Sequence, residues 1–349
     1  MSDSPLHMHR FVRPEAETCE HIGAGAVYWS KGPDILRSDT IDGPCRRVAR
    51  LPRPLFRRAL AMTRLGRRLA RETFYNVMPL SDGSLFYTYA REAGFITRDG
   101  AIRPLRGLAR AHRVLRGGAS VMPDDSVVFG EYFDNPQRDA VRIYRATPQD
   151  AHATEIYRFG QGEVRHIHSV RRDPFTRRTI VCTGDLAHEC RILSFAPDFS
   201  DCTALGEGSE DWRTISPQFS AKAIYFGTDA QFAPNRLLRF DRATKALTTL
   251  AEVNGPVFYS AAVKGGWVFA TTAELCPSQT SPHASLYHLE AATEEVRTIA
   301  SFRKDCLPNR YFQHGILNLP IMERLQNRVP ISGVALKGFD ATFRVLEHG

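Results

Sequence analysis

Residues 164–208 read VRHIHSVRRDPFTRRTIVCTGDLAHECRILSFAPDFSDCTALGEG. VRHIHSV has the apolar content of a strand, RDPFTRR is a turn, and TIVCTGD is a second strand. LAHE links to CRILSF, and APDFSD turns into CTALGEG. Four short strands in antiparallel succession form one blade of a β-propeller.

The same order recurs on both sides. Downstream come WRTISPQF, AIYFGTD, RLLRFD and LTTLAEV, then GPVFYSAAV, WVFATTAE, SLYHLE and VRTIASF. Upstream, SVMPDDSVVFGEYFDN leads to AVRIYRAT and ATEIYRF, and a less decorated copy starts at Tyr75. A period of 40 to 50 residues with four strands per unit predicts an all-β chain, a six-bladed and at most seven-bladed propeller. It excludes the βαβ alternation of a doubly wound sheet. The expected blades are 75–109, 112–160, 164–208, 212–253, 255–303 and 312–349, after an N-terminal tail over 1–25. The last copy lacks an outer strand, which AVYWS, DILRS or RRVARLP near the N-terminus would supply to close the ring.

Composition narrows the function classes. With 43% hydrophobic residues the chain can bury an ordinary core. It contains no apolar run long enough to span a membrane, and its N-terminus has no secretory pattern. The seven cysteines are scattered without a CxxC pair, which fits a reducing compartment; a cytoplasmic monomer is expected. The net charge of +8 favours an anionic partner. Arg53, Arg57, Arg58, Arg64, Arg67, Arg68 and Arg71 fall in a segment, 52–72, whose Leu55, Ala59, Met62, Leu65 and Leu69 recur at helical spacing. It is expected to be a basic helical insertion packed on the propeller through its apolar side. No aromatic residue interleaves with its arginines as a nucleic-acid stacking platform requires, so no nucleic-acid partner is expected.

Function must come from loops that converge at one face. At equivalent points between second and third strands stand Glu131 and Asp134, Asp185 with Glu189, Asp229, and Glu274. At the starts of the first strands stand His112, Arg165-Ile167-flanked His166 and His168, Trp212-Arg213, Tyr259 and His314. Acids capping turns explain any one of these positions; the set, with histidines and arginines, has the composition of a polar ligand site. Glu131, Asp134, Asp185 and Glu274 offer the acid and second carboxylate that glycoside hydrolysis needs. Arg138, Arg165 and Arg213 offer bidentate contacts to a carboxylate or phosphate. Tyr132 or Tyr259 offers a nucleophile or proton donor, and Trp212 a stacking surface. His166 and His168, one residue apart on a strand, face the same way. They suit a base and a charge neutraliser, or two ligands of a divalent ion whose third ligand spacing does not assign; otherwise no cofactor is expected.

Two turns between third and fourth strands, SFAPDFSDCTAL with Ser194 and Asp198 and YRATPQDAHATEIY with Thr147 and Asp150, give a resemblance. The chain resembles the sialidase-like propellers with Asp-box (BNR) repeats, whose turn reads Ser-x-Asp-x-Gly-x-x-Trp. Both turns keep the polar residue and the Asp and lack the Gly and the Trp. The strings GEYFDNPQR, VRHIHSVRRDP and TGDLAHEC look like a bacterial subgroup of such propellers. The resemblance implies a carbohydrate-active site. The Arg-Ile-Pro motif of true sialidases is absent, so sialic acid specificity is not expected. The resemblance further implies either a hydrolase or a His/Tyr/Arg polysaccharide lyase, some of which hold a metal with an HxH strand. A glycoside hydrolase on an anionic saccharide is the leading expectation. A uronate lyase using His168, His112, Tyr259 and Arg213 follows it, and a non-catalytic glycan- or protein-binding propeller is third.

Overall fold

The second strand of nearly every repeat is apolar on both faces, and that property organises the chain. Leu85–Tyr89, Val127–Gly130, Thr179–Gly184, Ala223–Gly227 and Gly266–Thr271 are buried at every position. Such strands are stable only as interior members of stacked sheets. The fourth strands, such as Cys202–Glu207 and Leu247–Glu252, bury none of their residues fully and expose half or more of them. In the computed structural model, which describes residues 6–279, 281–322 and 325–348, these strands form seven sheets, antiparallel apart from a short parallel pairing of residues 321–322 with Thr18–Ile22. The fold is a seven-bladed β-propeller, the upper of the two blade counts expected.

In chain order the sheets are blade 1 (18–50), blade 2 (74–104), blade 3 (119–159), blade 4 (166–207), blade 5 (218–252), blade 6 (257–303) and blade 7 (316–348). Internal packing groups residues 75–249 into one unit, and residues 1–74 with 250–349 into a second.

In the first unit, side chains from consecutive blades share cores. Met122, Val128, Ile143 and Phe159 of blade 3 pack with Val170, Val181, Leu193 and Phe195 of blade 4. Ile180, Cys182 and Ile192 pack in turn with Ile224, Phe226, Leu238 and Phe240 of blade 5.

The second unit corrects the reading of the N-terminus. The residues read as a tail hold two strands, Leu6–Phe11 and Thr18–Ile22. Leu6–Phe11 is the outer strand of blade 7, paired antiparallel from Leu6 opposite His348 to Phe11 opposite Phe343. AVYWS, DILRS and RRVARLP do not fill that place; with Thr18–Ile22 they build blade 1. The reason is burial. Val27–Lys31 is buried at all but its last position, with Trp29 fully enclosed, so it fits only inside a sheet. LHMHRF alternates partly buried and exposed residues and tolerates an edge.

The basic insertion forms two short helices, α1 (Leu55–Met62) and α2 (Arg64–Ala70), rather than one. It also turns the opposite way from the expectation. Arg67 and Arg68 are buried, whereas Leu55, Met62, Leu65 and Leu69 are exposed.

Candidate metal centre

His166 opens the first strand of blade 4, His166–Arg172. Pairing with the second strand shifts register between Ile167 and Ser169, a bulge that falls on His168. Bulges re-aim side chains, and here both imidazoles turn to one point. Their Nε2 atoms are 3.0 Å apart. Asp185 follows the second strand directly and places Oδ1 3.2 Å from the Nε2 of His166 and 3.3 Å from that of His168. Among the described residues these three form one group of metal-ligating type whose donor atoms converge.

Several features hold the group in place. His166 Nδ1 is 3.1 Å from the carbonyl oxygen of Phe133, which can only accept. The network therefore assigns a proton to Nδ1 and turns Nε2 toward His168 and Asp185. The ring of Tyr132 lies over His166 at 4.1 Å between centroids and 6.1 Å from His168. Glu189 Oε2 accepts from the backbone N–H groups of Asp185 and Leu186, and its Oε1 accepts from Arg138 Nε at 2.6 Å. Glu189 and Arg138 thus fix the loop that carries Asp185. Gly184 permits the close approach: a Cβ there would stand 3.2 Å from both His168 Cε1 and Arg213 Cγ.

Two arginines complete the shell. Arg165 donates to Asp185 Oδ2 at 2.8 Å and to the exposed Asp134 at 2.7 Å. Arg213 lies 3.1 Å from Asp185 Oδ1 and donates through Nε to Asp229 at 3.1 Å. Burial alone would favour the neutral acid of Asp185, but hydrogen bonds from the two imidazoles hold its carboxyl far below the usual carboxylate range. Burial pushes His168 down to about 4, so it is neutral at pH 7. For Arg213 burial opposes the charge, and Asp229 and Asp185 more than restore it. Burial raises Tyr132 above the ordinary phenol value, with Asp185 and Asp229 adding to the shift.

Three contacts of 3.0 to 3.3 Å join His166 Nε2, His168 Nε2 and Asp185 Oδ1. This spacing suits a metal ion. Ligand atoms about 2.1 Å from one cation, at angles of roughly 90–110°, lie about 3.0–3.4 Å apart. The donor set fits a borderline divalent ion such as Zn²⁺, Mn²⁺ or Fe²⁺, with positions left for substrate or water.

The other expected residues divide. Arg138, Arg165, His166, His168, Asp185, Glu189, Arg213, Asp229 and Asp134 assemble around this point. Glu131 does not join them. It precedes Tyr132 on extended backbone, so its side chain leaves the opposite face. There it accepts from the Arg142 N–H at 2.9 Å and from the Tyr144 hydroxyl at 3.1 Å. His112 stacks on Phe129 and Tyr144 and hydrogen-bonds the Arg110 carbonyl, beside Glu131. Trp212 packs on Phe226 and Phe240 of blade 5, filling core rather than offering a stacking face. Tyr259, Glu274 and His314 belong to the second unit, where His314 pairs with Glu274 at 3.6 Å and Tyr259 packs on the core. The residues that spacing missed are Phe133, which acts through its carbonyl, and Gly184; Gly130 and Gly184, each directly before a loop acid, are the sequence signal for the latter.

Comparison with known proteins adds fold and no family. No protein-family model matches the chain, so the Asp-box resemblance extends to the propeller and not to the repeat motif. No curated protein matches it in sequence. Among solved structures it is similar to virginiamycin B lyase from Staphylococcus aureus, in a catalytically inactive form with quinupristin. That match has a TM-score of 0.64 and 13% identity, covering 98% of this chain and 99% of that one. It is also similar to the extracellular domain of BT4673 from B. thetaiotaomicron, with a TM-score of 0.60 and 10% identity. This match covers 99% of the present chain and 40% of that one. At such identities the shared property is the propeller itself.

Proposed function

We propose that this propeller is a divalent-metal-dependent enzyme of lyase type acting on an anionic saccharide, with its centre at His166, His168 and Asp185. The observation that carries the proposal is the triangle of metal-ligating donor atoms, 3.0, 3.2 and 3.3 Å on a side. His166 Nε2, His168 Nε2 and Asp185 Oδ1 would hold the ion. When bound, the ion supplies Lewis-acid polarisation of a substrate carboxylate and makes the adjacent C–H more acidic.

The chain's own residues would meet two of the demands of elimination, charge neutralisation and protonation of the leaving oxygen, with the carbon proton passing to solvent. The reaction must neutralise the carboxylate, remove a proton from the neighbouring carbon and deliver one to the leaving oxygen. Arg165, one-third exposed and paired with the open Asp134, is the cation able to turn to an incoming anion. Arg213 keeps its charge against burial and orients Asp185. Tyr132, stacked on His166, is the hydroxyl at hand for delivering a proton.

Hydrolysis is less well supported. It needs two carboxylates facing one bond, yet Glu131 points away from Asp185, and Asp185 is held ionised and so cannot serve as the acid. The saccharide class rests on the Asp-box resemblance, and the anionic character on the arginines. The test is an assay of the Mn²⁺-loaded protein on uronate-containing oligosaccharides. Ultraviolet absorbance from an unsaturated product, abolished by a chelator, is expected. New reducing ends without that absorbance would move the reading to hydrolysis, and no turnover of any uronate would overturn it.

A further inference from the structure

The helical insertion has its charge and its apolar surface exchanged relative to an ordinary surface helix. Residues 53–71 hold seven arginines and no acidic residue. Five of those arginines turn inward to acids of the same unit. Arg53 and Arg57 meet the buried Glu72. Arg64 reaches Asp340 and Glu17, Arg67 binds Glu17, and Arg68 binds Asp305 and the Phe312 carbonyl. These pairs fasten the insertion down by its polar side.

The apolar side is left outward. Leu55 is 80% exposed, Phe56 64%, Met62 82% and Leu65 53%, with Leu60 and Leu69 also open, and no residue of α1 is buried. Beside α2 packs a third short helix, α3 (Asn309–Phe312), which adds exposed Tyr311 and Arg310. Six large apolar side chains on one short segment exceed the scattered exposure that needs no explanation.

Charge decides among occupants. The exposed ionic groups on α1 and α3 are cations: Arg58, Arg310 and the outer part of Arg57. A second copy docking by the same face would set arginine against arginine. An anionic lipid surface instead meets leucine, phenylalanine and methionine with acyl chains and arginine with phosphate. We propose that residues 55–69 rest the protein on an anionic membrane surface. Leu55, Phe56, Met62 and Leu65 enter the headgroup–acyl boundary, and Arg58 and Arg310 pair with lipid phosphates.

The test is co-sedimentation of the full-length protein with vesicles of phosphatidylcholine alone or with 30% phosphatidylglycerol. Binding to the anionic vesicles, weakened at least several-fold by 0.5 M salt, is expected, with little binding to the neutral ones. Phe56→Ser with Met62→Ser alters only exposed positions, so it should keep the thermal midpoint and lower the vesicle affinity by at least 10-fold. Inorganic phosphate at millimolar concentration should not compete. Failure of the folded wild type to bind anionic vesicles, or equal binding by the double variant, overturns the proposal. Concentration-dependent dimerisation removed by the same variant assigns the surface to a second copy and overturns it too. None of these readouts depends on turnover.

Discussion

The Nε2 atoms of His166 and His168 face each other at 3.0 Å, each with Asp185 Oδ1 as its other neighbour. Neither ring can turn away. His166 is held by the Phe133 carbonyl and covered by Tyr132, and His168 is 2% exposed. The two nitrogens are therefore kept within the span of one cation's ligand shell.

Asp185 should be the most costly single residue of the group. Its carboxylate accepts from Arg165 and meets both imidazoles and the largely buried Arg213. Removing one member of such a network leaves the others uncompensated, a loss of about 3 kcal/mol. Asp185→Asn is expected to lower the urea midpoint accordingly and to cut metal affinity by about 100-fold or more. A variant as stable as the wild type would remove Asp185 from the network's centre.

Glu131→Gln separates the two enzymatic readings. Burial raises the Glu131 carboxyl above its usual range, a shift often seen at a general acid. Its oxygens, however, serve the Arg142 N–H and the Tyr144 hydroxyl on the face turned away from Tyr132. The amide keeps one acceptor, so turnover should change less than about 3-fold, whereas a general acid would lose about 10²-fold or more. A loss of that larger size with an intact fold would favour hydrolysis.

Tyr132→Phe keeps the ring over His166 and removes only the hydroxyl. Metal affinity should hold within about 3-fold while kcat falls by roughly 10²-fold, as expected for loss of a proton-transfer group. Isothermal titration and initial rates measure the two quantities separately. Unchanged kcat would make Tyr132 a packing residue alone.

Acid should destabilise the protein before its carboxylates titrate. Burial pushes His21, His112, His168 and His288 each down to about 4. Unfolded chains take up these protons once pH falls below about 6.5, and the folded chain does not, so stability is full above that value. It declines as pH falls, and this contribution is lost by about pH 4. The thermal midpoint of the metal-free protein should fall steadily from pH 7 to pH 4.5. A flat profile would show that these imidazoles are solvated in the folded state.

The blades were legible because burial leaves a direct trace. TIVCTG, AIYFG and WVFAT are apolar on both faces, and their recurrence gives the register. The loop acids and first-strand histidines followed from that register, and nine of the expected residues meet around His166 in the structure. The N-terminus was not legible, since LHMHRF becomes a strand only by pairing with residues 343–348, more than 300 positions away. The same holds for Asp185 as third ligand, which a bulge at His168 and a glycine without side chain bring into reach. The orientation of the insertion was misread because helical spacing finds an apolar stripe without saying which side is buried. Glu17, Glu72, Asp305 and Asp340, scattered in sequence, decide it.

The most direct measurement is isothermal titration of the chelator-treated protein with Mn²⁺ and Zn²⁺ at pH 7.5, run beside His168→Ala and Gly184→Ala. The structure predicts one ion per chain for the wild type and at least a 100-fold loss for His168→Ala. It predicts a loss of about 10-fold or more for Gly184→Ala, whose methyl would press on His168 Cε1 and Arg213 Cγ at 3.2 Å. No saturable binding by the folded wild type, or equal affinity in all three proteins, would contradict a metal centre at His166, His168 and Asp185.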